Sequence, residues 1–222
     1  AWLTKLGAKI IGVSKNIPTN PSIFEELKLE GQIKHYKEDI RDLSKMIDII
    51  SNEKPDFVFH LAAQPLVLTS YTDPIETISS NVMGTANILE AMKTLNNKCT
   101  AIIITSDKAY DNVEQVLGYK EDDKLGGKDI YSGSKGAAEL IIKSYYHSFL
   151  KTKNSNLKLA IGRAGNVIGG GDWAKDRIVV DCMKAWSEDK IAEIRTPKAT
   201  RPWQHVLEPL SGYLNLGAEL SI

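Results

Sequence analysis

Cysteine is almost absent from this chain: Cys99 and Cys182 stand alone among 222 residues. Two isolated thiols exclude a disulfide framework and a CxxC metal site, and they suit a reducing cytoplasm. The four histidines, His35, His60, His147 and His205, have no ligand spacing, so the sequence assigns no metal. An excess of charge of one sign is also lacking, with 28 Lys and Arg against 28 Asp and Glu. No overall field therefore draws the protein to nucleic acid or to a membrane surface. No apolar run approaches the length of a membrane span, and the first residues are not signal-like. What remains is enough chain for one full domain and part of a second, with any recognition of an anionic ligand left to local groups.

The apolar pattern alternates between short runs and helical stretches. Lys9 to Ser14, Ile33 to Tyr36, Asp56 to Ala62, Cys99 to Thr105 and Leu157 to Ile161 read as strands. Between them, Ser22 is placed to cap a helix over Ile23 to Leu29. Asp42 is placed to cap one reaching about Asn52, with Leu43, Met46, Ile47 and Ile50 on one face. Asp73-Pro74 opens a long helix expected to reach about Leu95. Strands alternating with helices, without repeats, predict an α/β fold with a doubly wound, Rossmann-like parallel sheet. We expect this domain to occupy residues 1–165. The Gly169-Gly170-Gly171-Asp172 run breaks the pattern, so residues 166–222 read as the start of a smaller substrate-binding region, with 206–216 returning to the sheet.

The chemistry concentrates between Thr100 and Glu139. The apolar run Ala101 to Ile104 ends abruptly in Thr105, Ser106, Asp107 and Lys108, as a buried parallel strand does at its carboxyl edge, where α/β folds bind ligands. A helix then begins with Tyr131 and carries Lys135 four residues on, which puts both side chains on one face. An ammonium beside a phenol favours the phenolate, which can take a proton from an alcohol.

These residues sit in longer motifs: SDKAYDN from Ser106, GYKEDD from Gly118, YSGSKGAAE from Tyr131, GRAGNVIGGGDWAKDRIV from Gly162 and ATRPWQHVLEPLSGYL from Ala199. Together they resemble the extended short-chain dehydrogenase/reductase family, the NAD-dependent epimerases and dehydratases, over nearly the whole chain. The resemblance implies a lyase of deoxysugar biosynthesis with CDP-glucose as substrate. Its 4-hydroxyl is oxidised, water is eliminated across positions 5 and 6, and hydride returns through bound NAD, giving a 4-keto-6-deoxy sugar. It implies Tyr131 as base with Lys135 beside it, Ser106 on the 4-oxygen, and Asp107 as the acid for the departing hydroxide. Relatives commonly carry Glu where this chain has Lys108. Lys108 is either the base for the 5-proton or a group that positions the sugar, with another base.

For NAD, the resemblance implies Asp39 and Ile40 at the adenine and Leu61, Ala62 and Ala63 along the strand end, besides Tyr131 and Lys135. The ribose-binding acid expected after the second strand is replaced by Lys15-Asn16, leaving Asn16 to hydrogen-bond a hydroxyl. For the sugar nucleotide it implies Asn166 and Arg201, with Arg177 and Arg195 as further candidates. Trp173 and Trp203 suit either stacking or packing, and His205 reads as structural. Leu68 stands where relatives have Arg, and Ile130 and Val180 where they have Pro. The glycine-rich pyrophosphate turn is also missing. Relatives carry it just before the segment matching Trp2-Leu3 and continue beyond Ile222, so the chain reads as an internal fragment that binds NAD poorly alone, from a protein expected to be a homo-oligomer. Two other readings stand beside this one: a sugar-nucleotide 4-epimerase or reductase on the same scaffold, and an inactive binding module.

Overall fold

The computed structural model describes residues 1–151 and 156–222. Among the described residues no helix is long and apolar enough to cross a membrane. The chain forms two compact units, one of residues 1–38 and 166–207, the other of residues 39–165 and 208–222.

The larger unit is built on three parallel strands in the order β3 (Phe57–His60), β4 (Cys99–Ile104) and β5 (Leu157–Gly162). β4 lies in the middle, and Ala101, Ile102 and Ile103 are at most 1% exposed, which explains the apolar run that begins at Ala101. Helix α3 (Leu43–Glu53) begins at Asp42, whose carboxylate accepts from the Lys45 N–H, and buries Met46, Ile49 and Ile50. Each such aliphatic side chain contributes roughly 1.5–3 kcal/mol on burial. Helix α7 (Ile130–Tyr145) is capped by Asp129, which accepts from the Ser132 N–H. Helix α9 (Leu207–Ser221) crosses into this unit and lies over β3 and β4, where a Cβ on Gly217 would touch Phe57, Phe59 and Ile102.

The stretch expected to be one helix from Asp73 to about Leu95 is three segments in a row. Helix α5 (Pro74–Ile78) is capped by Asp73, a π-turn spans Ser79–Met83, and α6 (Gly84–Met92) follows. Sequence periodicity does not reveal a one-residue widening of the helix. A short helix ahead of them, α4 (Val67–Thr72), was not expected.

In the smaller unit β1 (Ile11–Val13) pairs parallel with β2 (Lys34–Tyr36), and β6 (Asn166–Ile168) pairs parallel with β7 (Trp203–His205). Helix α1 (Trp2–Lys5) precedes β1. Helix α2 (Ile23–Glu26) starts at Ser22, which accepts from the Glu25 N–H, and α8 (Ile178–Ser187) lies between β6 and β7. Every named strand pairing is parallel, in keeping with an α/β fold with flanking helices.

Candidate active site

Beyond Ile104 the chain leaves β4 through Thr105 and Ser106 and tightens into a 3₁₀ turn, Asp107–Ala109. Ser106 is buried and caps this turn: its hydroxyl oxygen accepts from the Lys108 N–H at 3.2 Å, and its O–H donates to Asp107 Oδ1 at 2.9 Å. The Asp107 N–H donates to the carbonyl of Ala164, just beyond β5, at 3.0 Å. The expected acid is thus tied to two strand ends. Asp107 is half-buried and Lys108 exposed.

Helix α7 packs directly on this turn. A Cβ on Gly136 would come within 2.9 Å of the Gly126 carbonyl oxygen and 3.3 Å of that of Ala109, so only glycine fits at this helix position. Tyr131 and Lys135 are both buried, at 8% and 7% exposure, and Lys135 Nζ lies 6.0 Å from the centroid of the Tyr131 ring. Burial pulls the Lys135 ammonium from its ordinary value of 10.5 down to about 8. The pair inferred from four-residue spacing is therefore a pair in space.

Sequence reading did not single out the groups that hold this pair in place. Asn81, on the π-turn, is 2% exposed and donates from Nδ2 to Ser134 Oγ at 2.9 Å and to the Gln64 carbonyl at 3.2 Å. Its Oδ1 accepts from the Gln64 N–H at 2.8 Å, and Ser134 donates to the Tyr131 carbonyl at 2.7 Å. One buried amide thus joins the loop after β3 to the first turn of α7. Behind it, Thr85 donates to the Asn81 carbonyl at 2.8 Å and lies 3.1 Å from His60 Nε2. Because the Thr85 proton is committed, the His60 Nε2–H is the donor in that contact. Burial, aided by the charge of Lys135, pulls the imidazole down to about 4, so His60 is neutral at physiological pH. Their only signal in sequence is polar residues within apolar-periodic segments.

The expected cofactor residues divide between the units. In the larger one, Leu61, Ala62 and Ala63 follow β3, with Leu61 exposed and the alanines half-buried. The carboxylate of Asp39 accepts from Arg41, at 3.0 Å from Nε and 2.6 Å from Nη2, and Arg41 also pairs with Glu76. Asn87 Nδ2 donates to the carbonyls of Ile40 and Arg41 at 3.0 and 2.8 Å, and the Ile40 side chain occupies the space that a Cβ on Gly84 would need. The segment 39–41 is therefore fastened to the helices behind it.

In the smaller unit, Asn16 is exposed after β1 and Asn166 opens β6 opposite Trp203. Arg177 Nε lies 3.1 Å from Asp172, and Arg195 lies 2.7 Å from Asp176 and 3.7 Å from Asp181. Arg201 is exposed and donates to the adjacent Thr200 carbonyl at 2.7 Å. Trp173 and Trp203 are 37% and 45% exposed.

Known proteins resemble this chain in sequence and in fold. The GDP-mannose 4,6 dehydratase family matches residues 2–212. CDP-glucose 4,6-dehydratase of Salmonella typhimurium is 49% identical over 222 residues, 99% of this chain and 62% of that protein. CDP-paratose 2-epimerase of Salmonella typhi is 30% identical over 159 residues, 65% of this chain and 45% of that protein. The structure of UDP-glucose 4-epimerase from Thermotoga maritima, solved with UDP-glucose, gives a TM-score of 0.82 at 22% identity, over 96% of this chain and 66% of that one. That of a double mutant of dTDP-glucose 4,6-dehydratase from Streptomyces venezuelae, solved with NAD and DAU, gives 0.79 at 16% identity, over 96% and 63%. At those identities the structures speak to fold alone, and they agree with the Rossmann-like reading. The chain thus spans less than two thirds of the length of each of these relatives, yet the family match runs through nearly all of it: it belongs to the GDP-mannose 4,6 dehydratase family.

Proposed function

We propose that the protein is a nucleotide-sugar 4,6-dehydratase that converts CDP-glucose to CDP-4-keto-6-deoxyglucose and water with bound NAD. The observation that carries this reading is the buried Tyr131–Lys135 pair on a helix packed against the Ser106–Asp107 turn. The 49% identity to CDP-glucose 4,6-dehydratase supports the choice of substrate.

The donor set fits the nicotinamide end of a dinucleotide. Tyr131 and Lys135 offer a phenol and an ammonium to ribose hydroxyls, and the small Ala62 and Ala63 allow close approach along the strand end. Asp39 and Ile40 would hold the adenine end, and Asn16 the neighbouring ribose. NAD, when bound, supplies the electron acceptor and donor that let carbon 4 be oxidised and carbon 6 reduced without net redox change.

The chain's own groups manage the protons. Tyr131, as phenolate, takes the proton of the 4-hydroxyl, and the Lys135 ammonium one turn away favours that charge. Ser106 hydrogen-bonds the 4-oxygen. The ketone then acidifies the proton at carbon 5, which a base other than Lys108 takes and gives back when carbon 6 is reduced, while Asp107 protonates the hydroxyl leaving carbon 6. Lys108, with three donors at the same turn, is assigned to holding the sugar. Asn166 and Arg201, with Arg177 and Arg195 in support, are assigned to the nucleotide diphosphate. Residues 166–222 are read as the start of the substrate-binding region. A homo-oligomer working in the cytoplasm fits this reading.

The test is an incubation of the purified full-length protein with CDP-glucose. A product lighter by one water, with the alkaline absorbance of a 4-keto-6-deoxy sugar, supports the proposal. A carbon-4 epimer of unchanged mass would replace it with the epimerase reading.

A further inference from the structure

Helix α7 carries a third side chain on the face of Tyr131 and Lys135, four residues further on. Glu139 is fully buried, at 0% exposure. Its Oε1 accepts from the Thr105 hydroxyl and from Arg163 Nε, both at 2.7 Å, and its Oε2 accepts from Arg163 Nη2 at 2.5 Å. The guanidinium lies 4.6 Å from the centroid of the Tyr110 ring, and its Nη1 donates to the Glu121 carbonyl at 3.2 Å. This single joint therefore fastens α7 to the end of β4, to the end of β5, and to two points of the segment between the 3₁₀ turn and α7.

Its location matters more than its strength. A buried ion pair contributes little net stability compared with an apolar pair of the same shape, but it fixes geometry because both partners have directional demands. Thr105 lies two residues before Asp107, and the Ala164 carbonyl that accepts from the Asp107 N–H is adjacent to Arg163. Glu139 lies eight residues, or about 12 Å, along the helix from Tyr131. The joint thus has the base on one of its arms and the acid on the other two. A slip of α7 by one residue would move Tyr131 by about 1.5 Å and rotate it by about 100°, whereas displacements near 1 Å can cost about a hundred-fold in rate.

We infer that Glu139 and Arg163 are positioning residues that hold the acid, Asp107, and the base, Tyr131, in one geometry, so that oxidation at carbon 4 and loss of the 6-hydroxyl stay coupled. The inference rests on the dehydratase reading. Neither side chain is assigned contact with the sugar, so their loss is expressed in kcat and not in KM.

The experiment compares full-length wild type with Glu139→Gln, Arg163→Lys and the apolar double variant Glu139→Leu/Arg163→Met, reading CDP-glucose kinetics, product masses and thermal midpoints. Glu139→Gln is expected to lower kcat about ten- to a hundred-fold with KM within about two-fold, and to release a fraction of 4-keto sugar that has kept its 6-hydroxyl. Arg163→Lys, which keeps the charge, is expected to recover part of the loss. The double variant keeps the fold if Glu139→Gln does not, and is expected to match the wild-type midpoint while remaining impaired. Recovery of activity along with stability in the double variant would overturn the inference by reducing the pair to a packing role. An unchanged kcat in Glu139→Gln would also overturn it, leaving the dehydratase reading intact. A wild type that forms no dehydrated sugar would remove that reading, and the inference with it.

Discussion

The ammonium of Lys135 is held 6.0 Å from the centre of the Tyr131 ring, and burial has already brought its proton affinity down to about 8. Lysine is unusual in a site this dry. The consequence is measurable without any substrate.

The proton affinity of Lys135 is lower in the folded chain than in the unfolded one. Its contribution to stability is therefore present above about 10.5 and lost as pH falls through about 8, where the folded state must accept a buried charge. The difference amounts to roughly 3 kcal/mol. Replacing Lys135 with Met removes it. Urea unfolding at a series of pH values should find Lys135→Met gaining on wild type as pH drops from about 10.5 to about 8, with a constant difference below. A difference independent of pH across that window would show that the lysine is not desolvated.

His60 gives the same sign at lower pH. Its folded value is about 4 against an ordinary 6.5, so its contribution is complete above 6.5 and disappears as pH falls through 4. His60→Gln preserves an N–H donor toward Thr85 but cannot take up a proton. We expect the variant to resist acid unfolding between pH 6.5 and 4 better than wild type, by up to about 3 kcal/mol. Equal acid sensitivity would place the titrating group elsewhere.

A third expectation concerns packing alone. Gly136 sits where a methyl group would press on the backbone carbonyls of Gly126 and Ala109, neither of which is a flexible side-chain end. Alanine is normally the better helix former, by about 1 kcal/mol. Here Gly136→Ala should instead destabilise the protein by about 1–3 kcal/mol, the usual range for overpacking, as read from the chemical denaturation midpoint. A more stable variant would mean that α7 stands further from the 3₁₀ turn.

The sequence made the chemistry of this site easier to see than its support. Helical spacing puts Tyr131 and Lys135 on one face, but it is the neighbouring strand end and the surrounding motifs that set them apart from a solvated pair, and Ser106 and Asp107 stand out because an apolar strand ends there abruptly. Strands β3, β4 and β5 are equally visible as apolar runs. Asn81 is not, since nothing in a periodic apolar stretch announces a π-turn that changes which face a residue occupies. Glu139 and Arg163 lie 24 residues apart, and their pairing depends on β5 lying next to β4, which no local pattern encodes. The three-residue strands β6 and β7 are too short for alternation to register.

In the proposed reaction two residues divide the work, Tyr131 serving the oxidation and Asp107 the loss of water. Mass analysis of sugar nucleotides after a single turnover of CDP-glucose, in the full-length protein and in two variants, tests it most directly. Tyr131→Phe keeps the packing and removes the base, so it should leave the substrate unchanged. Asp107→Asn keeps the shape and removes the transferable proton, which is commonly worth about a hundred- to ten-thousand-fold. This variant should therefore accumulate a 4-keto sugar that retains its 6-hydroxyl, while wild type gives the product lighter by one water. Dehydrated product formed by Asp107→Asn at the wild-type rate, or by Tyr131→Phe at any comparable rate, would contradict the account.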